Sequence, residues 1–377
     1  MGRVDTGDDP ALKRVVILAN GPGELWCWAR PVIRAFAEAG VDVSLRLLPC
    51  QYAAGNETEI AGRLGVEDVT PPRSIFRHLA LGEGKPPNAV LQMGGDLLFG
   101  LAMSKRNGVP FFCYSYGLKP LMRYCDLIFA PFEETSHYFP RGCDKVFVAG
   151  DLVVDSMEMD QDHFSWPEGE GQRVVFFPGS RRAIRTVALP FVSRMVNSLL
   201  ERMPGVKYVC ALSPFATKEE EETWRIAGLN PSRASTRSIL KEADLALTQP
   251  GTNTLEIAYA GVPGIVTVPF EFLRQVPLSG VRGLVSAVPF AGPWIKESIL
   301  RRAEKKRGFL AWPNRLLGRE VMPEIVGDFS AEEIALAAAN LLGDPAGLSL
   351  ARGDLKKIPR DRGSAGRMVG KIMETLG

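Results

Sequence analysis

At 377 residues, the chain is longer than the roughly 250–300 residues at which a single core stops growing, so two domains are expected. Its 46% hydrophobic residues supply two cores, and 23% charged residues make an ordinary soluble surface. A net charge of +2 gives no global electrostatic reason for nucleic acid to be the main partner. The polar start, Met1 to Lys13, lacks the apolar stretch of an ordinary signal peptide, and no uncharged apolar run is long enough for a transmembrane helix. Six cysteines, at 27, 50, 113, 125, 143 and 210, form no C-x-x-C pair and suit neither a zinc site nor a disulfide framework, which fits a reducing cytoplasm.

The first half alternates strands with helices. Arg14 to Ala19 is an apolar run before a glycine turn, the pattern of a buried parallel strand. A helix over Pro31 to Ala39 is closed by Gly40, and strands follow at Val41 to Leu48, Ala89 to Met93, Phe111 to Tyr114, Leu127 to Ala130 and Val146 to Ala149. Met157 to Gln172 reads as a linker, and its Asp160-Gln161-Asp162 reads as a solvated charge run. A second α/β unit then has strands at Arg173 to Phe177, Val206 to Leu212, Leu245 to Leu247 and Gly264 to Val268. Its helices cover Val187 to Arg202, Ile334 to Leu342 and Arg367 to Leu376. The fold class is therefore α/β, with two Rossmann-like doubly wound domains facing a cleft. The expected divisions are 1–165, 166–342 and a helical tail over 343–377 that packs back on the N-terminal domain.

In doubly wound sheets, ligands bind beyond the carboxyl ends of the strands, so the glycine turns there are the candidate sites. The strongest is Pro250-Gly251-Thr252-Asn253-Thr254-Leu255-Glu256, where a strand ends, Gly251 allows close backbone approach and a helix begins. Thr252, Asn253 and Thr254 add donors, and Glu256 is one turn in. The equal alternative is a capped helix with an incidental glutamate. The second is Pro178-Gly179-Ser180-Arg181, where Arg181 can pair with a diphosphate or serve as a surface residue. The third, Asn20-Gly21-Pro22-Gly23-Glu24, has two glycines near a helix start but no third, a weak dinucleotide signal. Its Glu24 is either a cleft carboxylate or helix-start charge compensation. The fourth, Gln92-Met93-Gly94-Gly95-Asp96, offers Asp96 as a general base or as a turn aspartate. There is no P-loop, H-E-x-x-H or G-x-S-x-G, and His78, His137 and His163 are too scattered for a metal site.

Together with Pro313-Asn314-Arg315-Leu316-Leu317-Gly318-Arg319-Glu320-Val321-Met322-Pro323-Glu324, these motifs resemble the lipid-A-disaccharide synthase family of inverting glycosyltransferases with the two-Rossmann GT-B fold. The likeness runs over about residues 14–342, and this last block, long and unusual, weighs most in it. The resemblance implies metal-independent transfer of a sugar from a UDP-sugar, without a cofactor, to the hydroxyl of a lipid-linked acceptor. It implies that Thr252, Asn253, Thr254 and Glu256 hold donor diphosphate and ribose, that Ser180 and Arg181 bind the diphosphate, and that Asn314, Arg319 and Glu320 line the site. Asp96 is the implied catalytic base and Glu24 the second candidate, with Gly21 and Gly23 on the acceptor side. A homodimer, and a cytoplasmic protein peripheral on the inner membrane face, are also implied.

Where the family has Gly-Glu-x-Ser-Gly-Asp, this chain has Gly21-Pro22-Gly23-Glu24-Leu25-Trp26, and the family's Trp-Ala-Trp gives way to Tyr114-Ser115-Tyr116-Gly117. The chain also has added length between Phe270 and Pro313. There, residues 288–307 combine aromatics with a basic amphipathic pattern that suits either an anionic membrane surface or a packed surface helix. Two other readings use the same residues: a nucleotide-sugar 2-epimerase, and a non-catalytic nucleotide-sugar binding protein.

Overall fold

The computed structural model describes residues 13–49, 56–82, 84–136, 144–270, 272 and 308–377. Cys50, Cys143, His137 and the basic segment 288–307 lie outside the described residues. The described chain forms two units. One holds its residues up to Leu152, except Asn56, together with Arg362–Gly377; the other holds Asn56 and Val153–Asp361.

The first unit is built on β1 (Arg14–Ala19), β2 (Asp42–Leu47), β3 (Asp68–Thr70), β4 (Ala89–Met93), β5 (Phe111–Tyr114), β6 (Leu127–Ala130) and β7 (Val146–Val148). They form a parallel sheet in the order β3-β2-β1-β4-β5-β6-β7, with Val15 opposite Val43 on one side and Ala89 on the other. Val15, Val16, Ile17, Leu18 and Ala19 are all fully buried. That explains a continuous apolar run, since a strand covered on both faces has no polar side. The order reverses between β1 and β4, because the chain builds outward from β1 first to one side and then to the other.

The second unit repeats the plan with β8 (Arg173–Phe176), β9 (Lys207–Ala211), β10 (Pro231–Ser232), β11 (Leu245–Thr248), β12 (Gly264–Pro269) and β13 (Glu324–Gly327), parallel in the order β10-β9-β8-β11-β12-β13. Its reversal falls between β8 and β11. Val174 and Phe176 pack into one apolar layer with the helices Arg182–Arg202 and Ala331–Leu342. Val175 and Phe177 pack into the opposite layer with Ile257, Ala258 and Met322. This is the period-two alternation of a strand buried on both sides.

Three strands are absent from the sequence reading: β3, β10 and β13. The first two have three and two residues, too short for a periodic signal, and β13 lies at the end of the Pro313–Glu324 block. The helix after β8 begins at Arg182, five residues before the expected Val187, which puts its N-cap at Arg181. The expected linker is held to the second unit. Trp166 is buried and donates from Nε1 to the Ile239 carbonyl at 3.2 Å. Asp162, although exposed, accepts the Ser235 amide at 2.7 Å ahead of the helix Thr236–Leu240. Burial acts to raise its pKa, but the hydrogen bonds from Ser235 and Ser238 outweigh it and hold the carboxyl below its ordinary value.

The final helix, Ser364–Leu376, packs on the helix Arg30–Glu38 of the first unit and buries Met368, Val369 and Ile372. Arg367 anchors it, donating from Nε to the Ala149 carbonyl at 2.8 Å. Gly150 has φ +96°, and a Cβ there would come within 2.4 Å of the Ser364 hydroxyl, so only glycine admits the helix this closely. Residues 343–361, the first part of the expected tail, stay with the second unit. Among the described residues, no single helix is long and apolar enough to cross a membrane.

Candidate active-site turns

The four glycine turns singled out in the sequence occupy the two places where strand order reverses. The Gly21–Glu24 turn follows β1 and the Gly94–Asp96 turn follows β4, its neighbour in the sheet. The Pro178–Arg181 turn follows β8, and Gln249–Glu256 follows β11, again its neighbour. Such switch points are where neighbouring connections leave to opposite faces and open a crevice for a ligand.

In the first unit, Gly21 is the extended N-cap of the helical stretch that follows, and its amide donates to the Glu24 carboxylate at 2.9 Å. Glu24 thus serves as a capping side chain as well as a half-buried carboxylate. It also abuts the second turn. Gly94 has φ +89°, and a Cβ built there would sit 2.2 Å from the Glu24 carboxylate, so the glycine is what lets the acid and the turn share this space. Asp96 is exposed and accepts the Leu98 amide at 3.0 Å, ahead of the helix Leu98–Asn107. The structure therefore brings the two candidate bases to adjacent turns.

Beyond Glu24 the chain widens into a π-helical turn, Leu25–Ala29, a feature often found at functional sites. Trp28 within it stacks on Tyr116 at 5.1 Å and meets Tyr114 edge-on at 5.3 Å. Asp151 accepts the Tyr116 hydroxyl. Burial, and secondarily the Asp151 charge, push the Tyr114 phenol well above its ordinary pKa. Asn20 Oδ1 and Trp28 Nε1 are buried without a hydrogen-bond partner among the described residues. In native proteins such groups are rare and are often completed by a ligand or ordered water.

In the second unit, Gly179 has φ +105°, and Arg181 is the extended N-cap of the helix Arg182–Arg202. Ser180 and Arg181 are half-buried. The Ser180 carbonyl accepts Nη1 of Arg185 at 2.5 Å. Arg185 is 1% exposed and forks onto Glu220 at 2.9 and 3.0 Å, so a buried charge-assisted pair fixes the turn from behind. Gln249 ties the two turns together, donating from Nε2 to the Pro178 carbonyl at 3.0 Å.

Gly251 is exposed, with nothing within 4 Å of a Cβ position, and Thr252 and Asn253 are half-exposed at the start of the helix Asn253–Tyr259. Thr254 is fully buried. Its hydroxyl donates to the Gly251 carbonyl at 2.8 Å and accepts the Trp312 amide at 3.3 Å, so it shapes the loop and does not face outward. Glu256, in the first turn of that helix, is 7% exposed.

The Pro313–Glu324 block requires a correction. Asn314 is fully buried and spends its whole hydrogen-bonding capacity inside the block. It donates to the Met322 carbonyl at 2.7 Å and to Glu324 at 2.9 Å, and accepts the Val321 and Met322 amides at 2.7 and 2.9 Å. Nothing remains for a ligand. Arg319 ion-pairs with Asp354, on the helix whose Arg352 reaches Asp244 at 3.1 Å, just ahead of β11 and toward the amino ends of the strands. Glu320 accepts the Glu324 amide at 3.0 Å. Asn314, expected to line the site, instead forms a buried scaffold for its block, while Arg319 and Glu320 are exposed at its surface. Through Trp312 that scaffold supports the Thr252–Glu256 loop from behind.

The sequence reading missed Gln92, Arg185 and Gln249. The signal for Gln92 was a polar side chain in an otherwise buried strand, which must have internal partners, whereas Arg185 is buried among exposed and half-buried neighbours and gave none.

The family described as Lipid-A-disaccharide synthetase matches residues 117–275, which include both glycine turns of the second unit and leave out both of the first. The lipid-A-disaccharide synthase of Geobacter sulfurreducens is 28% identical over 258 residues, covering 66% of this chain and 61% of that protein. The enzyme of Paraburkholderia phymatum is 26% identical over 305 residues, covering 73% and 69%. The chain thus spans about three fifths of the length of the first of these relatives. Among solved structures, S. aureus MnaA with UDP superposes with TM-score 0.64 at 14% identity, covering 97% of each chain. Acinetobacter baumannii MurG gives 0.57 at 14% identity, covering 96% of this chain and 99% of that one. These likenesses give the fold, two Rossmann-like units of the GT-B kind. With that fold, and with the Pro178–Arg181 and Gln249–Glu256 turns at its second switch point inside the matched stretch, the chain is similar to the lipid-A-disaccharide synthase family over residues 117–275.

Proposed function

We propose that this chain is an inverting glycosyltransferase that takes a sugar from a uridine diphosphate donor and passes it to a lipid-linked hydroxyl acceptor. The observation that carries the reading is the tie of Gln249 to the Pro178 carbonyl at the second switch point. It sets a half-buried arginine turn beside an exposed glycine turn at a helix start, the combination that receives a diphosphate. Similarity to a UDP-bound fold supports uridine as the base.

In this reading Asp96 takes the proton of the acceptor hydroxyl, whose oxygen forms a new bond to the anomeric carbon as the bond to the diphosphate breaks. Inversion follows from attack opposite the leaving group. The negative charge left on the diphosphate is met by Arg181 and by the backbone at Thr252 and Asn253, so the chemistry requires no metal. A lipid acceptor is supported by apolar side chains exposed beside Asp96. Leu98 is 56% exposed, and Phe76, 60% exposed, stacks edge-on against Phe99 at 6.1 Å.

Calorimetric titration with a panel of nucleotides and nucleotide sugars tests the donor half. Uridine compounds are expected to bind tightest, and substitution of Arg181 by alanine should weaken UDP about tenfold or more, as for loss of a charge-assisted hydrogen bond. If no nucleotide binds, the reading fails. If NMR of the nucleotide sugar shows epimerisation with no acceptor present, the 2-epimerase reading replaces it.

A further inference from the structure

We propose that Gln92 is the positioning residue of the first unit: its buried amide fixes the place from which Asp96 emerges. Gln92 is 0% exposed, within β4. Its Nε2 donates to the Gly94 carbonyl at 2.8 Å and to the Asp96 carbonyl at 2.7 Å, and its Oε1 accepts the Gly100 amide at 3.0 Å. One side chain therefore grips both ends of the turn and the first turn of the helix that follows. The remaining carbonyl, that of Gly95, accepts Nζ of Lys119 at 3.1 Å. Three consecutive carbonyls are thus drawn onto side-chain donors.

The turn needs such a grip. Gly94 and Gly95 both have positive φ, +89° and +66°, and two adjacent glycines leave the backbone with little intrinsic preference. The neighbouring packing is built for the glutamine. A Cβ on Gly100 would come within 2.5 Å of Gln92 Oε1 and 2.3 Å of the Phe111 ring, so residue 100 is kept free of a side chain where the amide must fit. A leucine at position 92 would preserve the apolar strand but would strip the Gly94 carbonyl and the Gly100 amide of their partner and leave the Asp96 carbonyl only the long 3.4 Å bond from the Phe99 amide.

The inference rests on the reading of Asp96 as the base, and its test separates the two. Hydrogen–deuterium exchange of the full chain is followed over the segment 94–100, together with UDP release from a UDP-sugar. Gln92→Leu should exchange this segment about tenfold faster or more and lower kcat by a similar factor with donor KM nearly unchanged, the scale of one lost hydrogen bond. Gln92→Glu gives a readout that simple destabilisation would not move. Only the protonated acid can donate, and burial raises its pKa, so the segment should be protected near about pH 6 and loosened near about pH 9. This variant decides the matter if Gln92→Leu does not fold.

Unchanged exchange over 94–100 in Gln92→Leu, or no recovery of Gln92→Glu at low pH, overturns the proposal. If Asp96→Asn keeps its turnover while Gln92→Leu loosens the segment, the base assignment fails and the clamp stands. If Asp96→Asn is inactive while Gln92→Leu keeps both protection and turnover, the clamp fails and the base stands.

Discussion

Asp96 shows how one side chain can carry two duties. Its Oδ1 accepts the Leu98 amide, an ordinary helix-start bond, while its exposure leaves the carboxylate open to a substrate hydroxyl. The Oδ1 of an asparagine can accept the same Leu98 amide, two residues on, so Asp96→Asn separates the duties. The melting temperature is expected to stay within a degree or two, about 0.5 kcal/mol, whereas kcat should fall roughly 10²–10⁴-fold with donor affinity unchanged. Turnover near the native rate would remove Asp96 from proton transfer and leave Glu24, on the adjacent turn, as the base. Asp96 was legible in the sequence because an aspartate after a strand and two glycines is a local pattern. Gln92 was not, since its role depends on carbonyls brought round by the positive φ of Gly94 and Gly95.

At the level of elements, the edge of the first sheet is held by charge. Arg14 on β1 and Arg46 on β2 are both buried, and both reach Asp68 on β3, at 2.5 and 2.7 Å. Burial pushes the Asp68 carboxyl up, but hydrogen bonds from Arg46 and Ser44 and the charges of Arg46 and Arg14 more than offset this and hold its pKa at about 2. A folded pKa below the unfolded 3.8 means the contribution is complete above about pH 4 and is lost as pH falls through about 2. The Asp68 side chain is 41% exposed, so water screens the cluster, and the contribution is about 1 kcal/mol, less than the shift alone converts to. Asp68→Asn should lower stability by about that amount at neutral pH and flatten its acid dependence below about pH 4, measured by urea denaturation across pH. A variant with the native acid profile would place the shift elsewhere. The three-residue β3 that carries Asp68 has no periodicity to read, so this cluster appears only once β1, β2 and β3 stand side by side.

At the scale of the whole molecule, the chain returns to its beginning. Arg362–Gly377 joins the first unit after the entire second unit has been built. Met368, Val369 and Ile372 are buried there, and three such side chains supply on the order of 5 kcal/mol. Removing residues 362–377 should therefore lower the first unit's unfolding transition by several kcal/mol and leave the second unit's transition in place, as differential scanning calorimetry would resolve. A single shifted transition for both units would show instead that they unfold together.

By itself the sequence determined that the chain is α/β with two doubly wound units, and where its four glycine turns lie. Strands buried on both faces must read as apolar runs, and a strand, a glycine turn and a helix start are set by neighbours in the chain. Only the tertiary structure decided which of the marked residues act together. It placed Glu24 against Gly94, joined Pro178 to Gln249, and turned Asn314 from a candidate ligand into a scaffold. The physical reason is that a hydrogen bond is satisfied by whichever group arrives beside it. Asn314 finds four partners within its own block and has none to spare, a fact of packing that no local pattern of residues encodes.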